Sequence, residues 1–193
     1  PQGRTAWRTQ PYLIPPKGSE ANYSGYPAIP SDEVVESIYE TAFKNNWQIH
    51  THANGDAAID QMIRNLKKVT NKYGNEGRRD ALIHGQYIRE DQLDDFNNLN
   101  IIASLFPLHT FYWGDWHVES VLGHPRADYI SPMNDALMAG LNITSHHDAP
   151  VTFPNAMRVL DATVNRVTRS GKILGPDQRL SAITSMIQPQ IHP

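Results

Sequence analysis

The chain has 193 residues, 39% apolar and 19% charged, with a formal net charge of −3, enough for one domain with a real core. It contains no cysteine, which excludes disulfides and cysteine-based zinc sites. With no long run of one charge sign and no apolar stretch able to cross a bilayer, neither nucleic acid nor a membrane is expected as a partner. Nine histidines stand out instead. Histidine is the commonest ligand of catalytic metals, so their placement matters more than their number.

The opening Pro1-Gln2-Gly3-Arg4 lacks an initiator Met and the apolar core of a signal peptide. It reads as the middle of a longer protein, with the cytoplasm as the default location. Residues 1–30 are rich in Pro, Gly and Tyr and are expected to form an ordered surface loop. Ser31 is a good N-cap, Asp32 and Glu33 suit a helix N-terminus, and Val34, Val35, Ile38, Ala42 and Phe43 repeat at helical spacing. Trp47 to His52 reads as a strand ended by Asn54-Gly55-Asp56. A second helix carries Ala58, Met62, Ile63, Leu66 and Val69 and closes near Gly74.

Ala81 to His84 is a short strand, followed by a charged helix from about Glu90 to Leu99. Ile101 to Leu105 is a third strand, leading into an aromatic loop from Phe106 to Trp116. Ser131-Pro132 predicts an N-cap with proline at the first helical position, opening a helix to about Ala139. Leu141 to Ser145 is a fourth strand, and a last helix after Pro154 places Met157, Leu160, Val164 and Val167 on one face. Strands alternating with helices predict βα units and a parallel sheet. Four such units amount to half of a (β/α)8 barrel, over residues 31–183, with a divergent tail at 184–193. Half a barrel leaves open sheet edges, so pairing with a missing half or with another copy of the chain is expected.

Residues able to bind metal or move protons gather at strand ends. His50 and His52 end the first strand, His84 the second, His109 follows the third, and His146-His147-Asp148 follow the fourth. In a barrel of this kind the C-terminal strand ends form the active-site mouth, so these side chains are expected to converge. A lone strand histidine is more often hydrogen-bonded scaffolding; several at successive strand ends favour a shared site. Asp56 suits helix capping and loop anchoring better than catalysis. Asp148 suits metal ligation and proton transfer, with an Asx-turn as the competing reading. The aromatic run Phe111 to Trp116 either lines an apolar pocket or packs as a satellite core.

The run His50-Thr51-His52-Ala53-Asn54-Gly55-Asp56 resembles the fifth-strand motif of the amidohydrolase superfamily. Within it, the branch of N-substituted formamide deformylases and exoenzyme regulatory proteins is most similar. Leu82-Ile83-His84-Gly85-Gln86, Pro107-Leu108-His109 with Trp113-Gly114-Asp115, and His146-His147-Asp148-Ala149-Pro150 resemble the segments at strands six, seven and eight. The resemblance implies a centre of one or two divalent ions, usually zinc. His52 and His84 would be ligands, Asp148 ligand and general base, His109 substrate-facing and His147 an orienting neighbour. It further implies a His-x-His pair and a lysine that would lie before Pro1, and a small amide-like substrate whose C–N bond is hydrolysed. A non-catalytic metal-binding or regulatory homologue, and an inactive half-barrel completed by another chain, are the alternatives.

Overall fold

The computed structural model of the protein describes residues 3–187. Four short strands form its sheet: β1 (His50–Ala53), β2 (Ala81–His84), β3 (Ile102–Leu105) and β4 (Ile143–Ser145). All pairs are parallel, in the order β1-β2-β3-β4. Parallel neighbours need a crossover. Here the crossovers are α2 (Asp56–Tyr73), α3 (Leu93–Asn98), and α4 (Leu108–Trp116) with α5 (Met133–Met138); α1 (Asp32–Lys44) precedes the sheet, and α6 (Ala156–Asn165) and α7 (Ala182–Ile187) follow it. This is the α/β layout of four successive βα units expected for half of a (β/α)8 barrel. Of the expected tail, residues 188–193 lie outside the described residues.

Strand alternation divides the sheet into two unlike faces. Ala53, Leu82, Ala103, Leu105 and Ile143 enter the main core with Tyr39 and Phe43 of α1, Met62 and Leu66 of α2, Phe96 of α3 and Met133 of α5. The opposite face carries two register rows, His50-Ala81-Ile102 and His52-Ile83-Ser104-Thr144. Polar residues are therefore concentrated away from the helices, on the side where strand ends converge.

Helix α1 begins as its sequence predicts: Ser31 Oγ accepts a hydrogen bond from the Val34 amide, with Asp32 and Glu33 in the first turn. Three ion pairs join it to α2 at a constant offset of 32 residues: Asp32–Arg64 (2.7 Å), Glu36–Lys68 (2.8 Å) and Glu40–Lys72 (2.6 Å). Equal steps in the same direction show that the two helices run parallel, as consecutive βα units require.

The N-terminal loop is ordered, as expected. Tyr12 packs with Tyr87, Val121, Leu122 and Ile130 in a second core. The loop also crosses the start of α2 so closely that a Cβ on Gly55 would overlap the carbonyl of Trp7.

Four expectations need correction. Trp47 is 61% exposed and β1 starts only at His50, because the preceding turn leaves Trp47 outside the sheet. Phe106 to Trp116 is largely helical: α4 buries Leu108, His109, Thr110 and Gly114, so packing overrides weak local propensity. Ser131 does not cap α5; it takes a left-handed φ of 47° and turns its hydroxyl to Phe106 and His109. Helix α6 buries Val159, Ala162 and Thr163, leaves Met157 70% exposed and ends before Val167, which bridges to Ile173 instead. Among the described residues no helix is long and apolar enough to cross a membrane.

Candidate metal centre

Three donors from two strand ends meet on the polar side of the sheet. Candidate ligand atoms of His84, His146 and Asp148 all lie within 4.8 Å of one another. His84 Nε2 is 3.9 Å from Asp148 Oδ1, too far for a direct hydrogen bond. The rings of His84 and His146 are 5.0 Å apart, and His52 meets His84 edge-on at 4.6 Å. Phe106 supports the group from below: its ring stacks on His146 at 5.2 Å and meets His109 at 4.5 Å.

Backbone conformation aims two of these side chains. In a regular strand His84 would follow Leu82 into the helix layer. Its φ of 78° turns it back towards His52 and His146. Asp148 has a φ of 55°. Such angles cost free energy for residues with a Cβ and persist where surrounding structure imposes them, often at functional sites. His146 needs no such device. It shares the parity of Thr144 in β4, opposite to that of the core residue Ile143.

The other predicted residues are placed as follows. His52 lies beside His84 but outside the three-donor cluster. His50 is exposed, with Nε2 3.2 Å from the Gln48 amide. His109 is only 2% exposed and 6.3 Å ring to ring from His84. His147 turns into its own loop, where Nδ1 accepts from the Ala149 amide at 3.1 Å. His146, expected only as one of several strand-end residues and not as a ligand, takes the place beside His84. Asp56 anchors the loop: it accepts from the Thr9 amide and hydroxyl and from Arg89. Phe111, Tyr112 and Trp113 pack against a satellite core of Phe106, Leu108, Val159 and Ala162.

Residues 1–186 match the family model described as the amidohydrolase family. The chain belongs to this family. Among curated proteins it is 28% identical over 136 residues to Protein LONG AFTER FAR-RED 3 of Arabidopsis thaliana, covering 70% of this chain and 23% of that protein. It is 24% identical over 149 residues to the putative amidohydrolase YtcJ of Bacillus subtilis (strain 168), covering 77% of this chain and 26% of the relative. It thus spans about a quarter of the length of these relatives. An uncharacterized metal-dependent hydrolase from Pyrococcus horikoshii OT3 superposes with a TM-score of 0.80 at 24% identity, over 97% of this chain and 36% of the other. A second, from Pyrococcus furiosus, gives 0.77 at 22% identity with the same coverage. These likenesses establish the fold.

The donor set of this family member suits a divalent cation. His84 Nδ1 and His146 Nε2 are buried side-chain atoms with no hydrogen-bond partner among the described residues. Buried polar atoms are ordinarily satisfied, so two orphaned imidazole nitrogens in one cluster point to an external partner. Burial pushes the pKa of both imidazoles down to about 4, with a smaller contribution from neighbouring histidine in each case. Both are neutral near pH 7 and present a free lone pair. Ligand atoms each about 2 Å from one ion stand at most about 4 Å apart. The other nitrogen of the His84 ring, Nε2, meets that condition with Asp148 Oδ1 at 3.9 Å.

Proposed function

We propose that the protein is a hydrolase of non-peptide C–N bonds, of amide or N-formyl type, dependent on a divalent metal, with zinc the first candidate. The supporting observation is the cluster of His84, His146 and Asp148 with its two unpartnered imidazole nitrogens. His84, His146 and Asp148 would hold the ion, and His52, in ring contact with His84, would complete or orient the set. When bound, a divalent cation lowers the pKa of an adjacent water towards ~7 and polarises a carbonyl oxygen.

The chain's own residues then have distinct tasks. Asp148 is half-buried and so can face both ion and solvent. It would accept the proton of the attacking water and return it to the departing amine. Phe106 excludes water from beneath the imidazoles. His109 is assigned to the substrate side of the reaction, with Nδ1 directed at Ser131 and Nε2 left as the atom to meet a substrate donor. Any further ligands would come from outside the His84, His146 and Asp148 cluster, and the substrate would be a small amide-like molecule.

The test is turnover of a panel of N-formyl amines and simple amides by the intact protein, alongside its metal content by elemental analysis. Asp148→Asn should abolish turnover while leaving thermal unfolding nearly unchanged. Near wild-type turnover by Asp148→Asn would overturn the proton-transfer role. Stoichiometric metal without turnover across the panel would favour a non-catalytic metal-binding homologue.

A further inference from the structure

A cavity of about 280 Å³ opens between the N-terminal loop, the turn after β2 and the segment before α5. Its lining includes none of His52, His84, His109, His146 and Asp148. Two arginines in its wall have no carboxylate partner among the described residues. Arg8 is 4% exposed; its Nη1 donates to the carbonyls of Pro11 (3.3 Å) and Val121 (3.0 Å). No acceptor is found for its Nε or Nη2 among the described residues. Its guanidinium lies 4.8 Å from the Tyr12 ring and 5.5 Å from the Tyr87 ring, which fix its position. Arg126 is half-buried and donates to Gln10 Oε1 (2.6 Å) and to the Leu122 carbonyl (2.8 Å).

Both arginines therefore spend donors on neutral acceptors while their charges stay uncompensated. Burial lowers the pKa of Arg8, and the nearby charge of Arg126 lowers it further against the opposing effect of Tyr87. A buried cation without a counter-charge is costly. The acids nearby are engaged elsewhere or open to water. Asp56 is the weakest of the charges acting on Arg8, and its carboxylate binds Thr9 and Arg89. Arg89 is held in turn by Asp60 and Asp91, and Glu90 is exposed. Ile88, Leu122 and Ile130 supply an apolar wall.

We propose that this cavity binds a small oxyanion-bearing molecule, a carboxylate or phosphate on a short apolar body, with its charge between Arg8 and Arg126. The volume lies just below the range of about 300 Å³ and upward for drug-sized ligands, so the occupant is a small metabolite-sized anion. The proposal does not depend on the metal reading.

The test is calorimetric titration of metal-stripped intact protein, so that anions cannot bind through an ion, with benzoate, inorganic phosphate and the uncharged benzamide. Saturable binding of benzoate or phosphate is expected, with benzamide at least about tenfold weaker; whichever anion binds more tightly identifies the oxyanion. Arg126→Gln should weaken binding about tenfold or more, the range for one charge-assisted hydrogen bond. Arg169→Gln, the same charge change at an exposed position, should leave it within about twofold. Thermal unfolding of both variants checks that the fold persists. Absence of saturable binding by either anion, equal binding of benzamide and benzoate, or equal effects of the two substitutions would each overturn the proposal.

Discussion

Ser131 Oγ lies 3.3 Å from His109 Nδ1 and donates to the Phe106 carbonyl at 3.0 Å. A hydroxyl has one proton, so with that proton on the carbonyl its lone pair accepts from His109 Nδ1–H. The pair thus assigns the imidazole its tautomer and fastens α4 to the end of β3. Ser131→Ala leaves a buried N–H without a partner and should destabilise by about 1–3 kcal/mol. Ser131→Gly removes the same hydroxyl but relieves the positive φ, and should be less damaging by about 1 kcal/mol. Denaturant unfolding of both variants checks the order, and the opposite ranking would refute the strain argument.

The two adjacent histidines after β4 should behave oppositely. His146→Ala removes a donor of the cluster, and metal retained after dialysis should fall at least tenfold. His147→Ala removes only an acceptor for the Ala149 amide and should leave metal retention nearly intact. Elemental analysis decides; equal losses would mean that His147, not its loop, carries the interaction.

His117 predicts a pH dependence. It is fully buried between Gln86 Nε2 (2.6 Å) and Tyr87 Oη (3.3 Å), and burial, with Arg8 adding to it, lowers its pKa to about 3. The unfolded chain binds a proton near pH 6.5, which the folded chain does not take up until about 3. The contribution is therefore complete above about pH 6.5 and is lost as pH falls towards 3, at up to about 1.4 kcal/mol per pH unit. His84 and His146 act in the same direction. Unfolding free energy measured at pH 7, 6 and 5 should decline, and less steeply in His117→Gln. Parallel slopes would rule His117 out.

Gly55 tests how the N-terminal loop is seated. A methyl group there meets the Trp7 backbone, which cannot swing aside as a side chain can. Gly55→Ala should cost about 1–3 kcal/mol and speed proteolysis of the loop before that of the sheet. Unchanged cleavage kinetics would show that the loop is not fastened at this point.

Much of this architecture is legible in the sequence because the signals are local. The Ser31 cap, the apolar spacing of α2 and the four strand positions each follow from a few neighbouring residues. His146 was legible too: counting by twos from the core residue Ile143 places it with Thr144 and sends His147 the other way. His84 was legible as a site residue only through its neighbours, since alternation alone buries it under the helices and its positive φ has no signature in Ala81-Leu82-Ile83-His84. Helix α4 was hidden because aromatic side chains and Gly114 have poor helical propensity; packing against Val159 and Ala162 makes up the difference. The Arg8 cavity joins segments more than 100 residues apart, and no local pattern announces it.

The ion-pair ladder between α1 and α2 is a degenerate code. Slide α1 by one helical turn and Glu36 meets Arg64 while Glu40 meets Lys68, so two of three rungs re-form. Electrostatics therefore holds these helices side by side without telling them where to stop. The stop is set by contacts that do not repeat: Gln61 donating to the Ile29 carbonyl at 3.0 Å, and the Tyr39 hydroxyl meeting Thr51 at 3.1 Å. Those few uncharged bonds, insensitive to salt, place α1 over β1 and so fix the strand that carries His52.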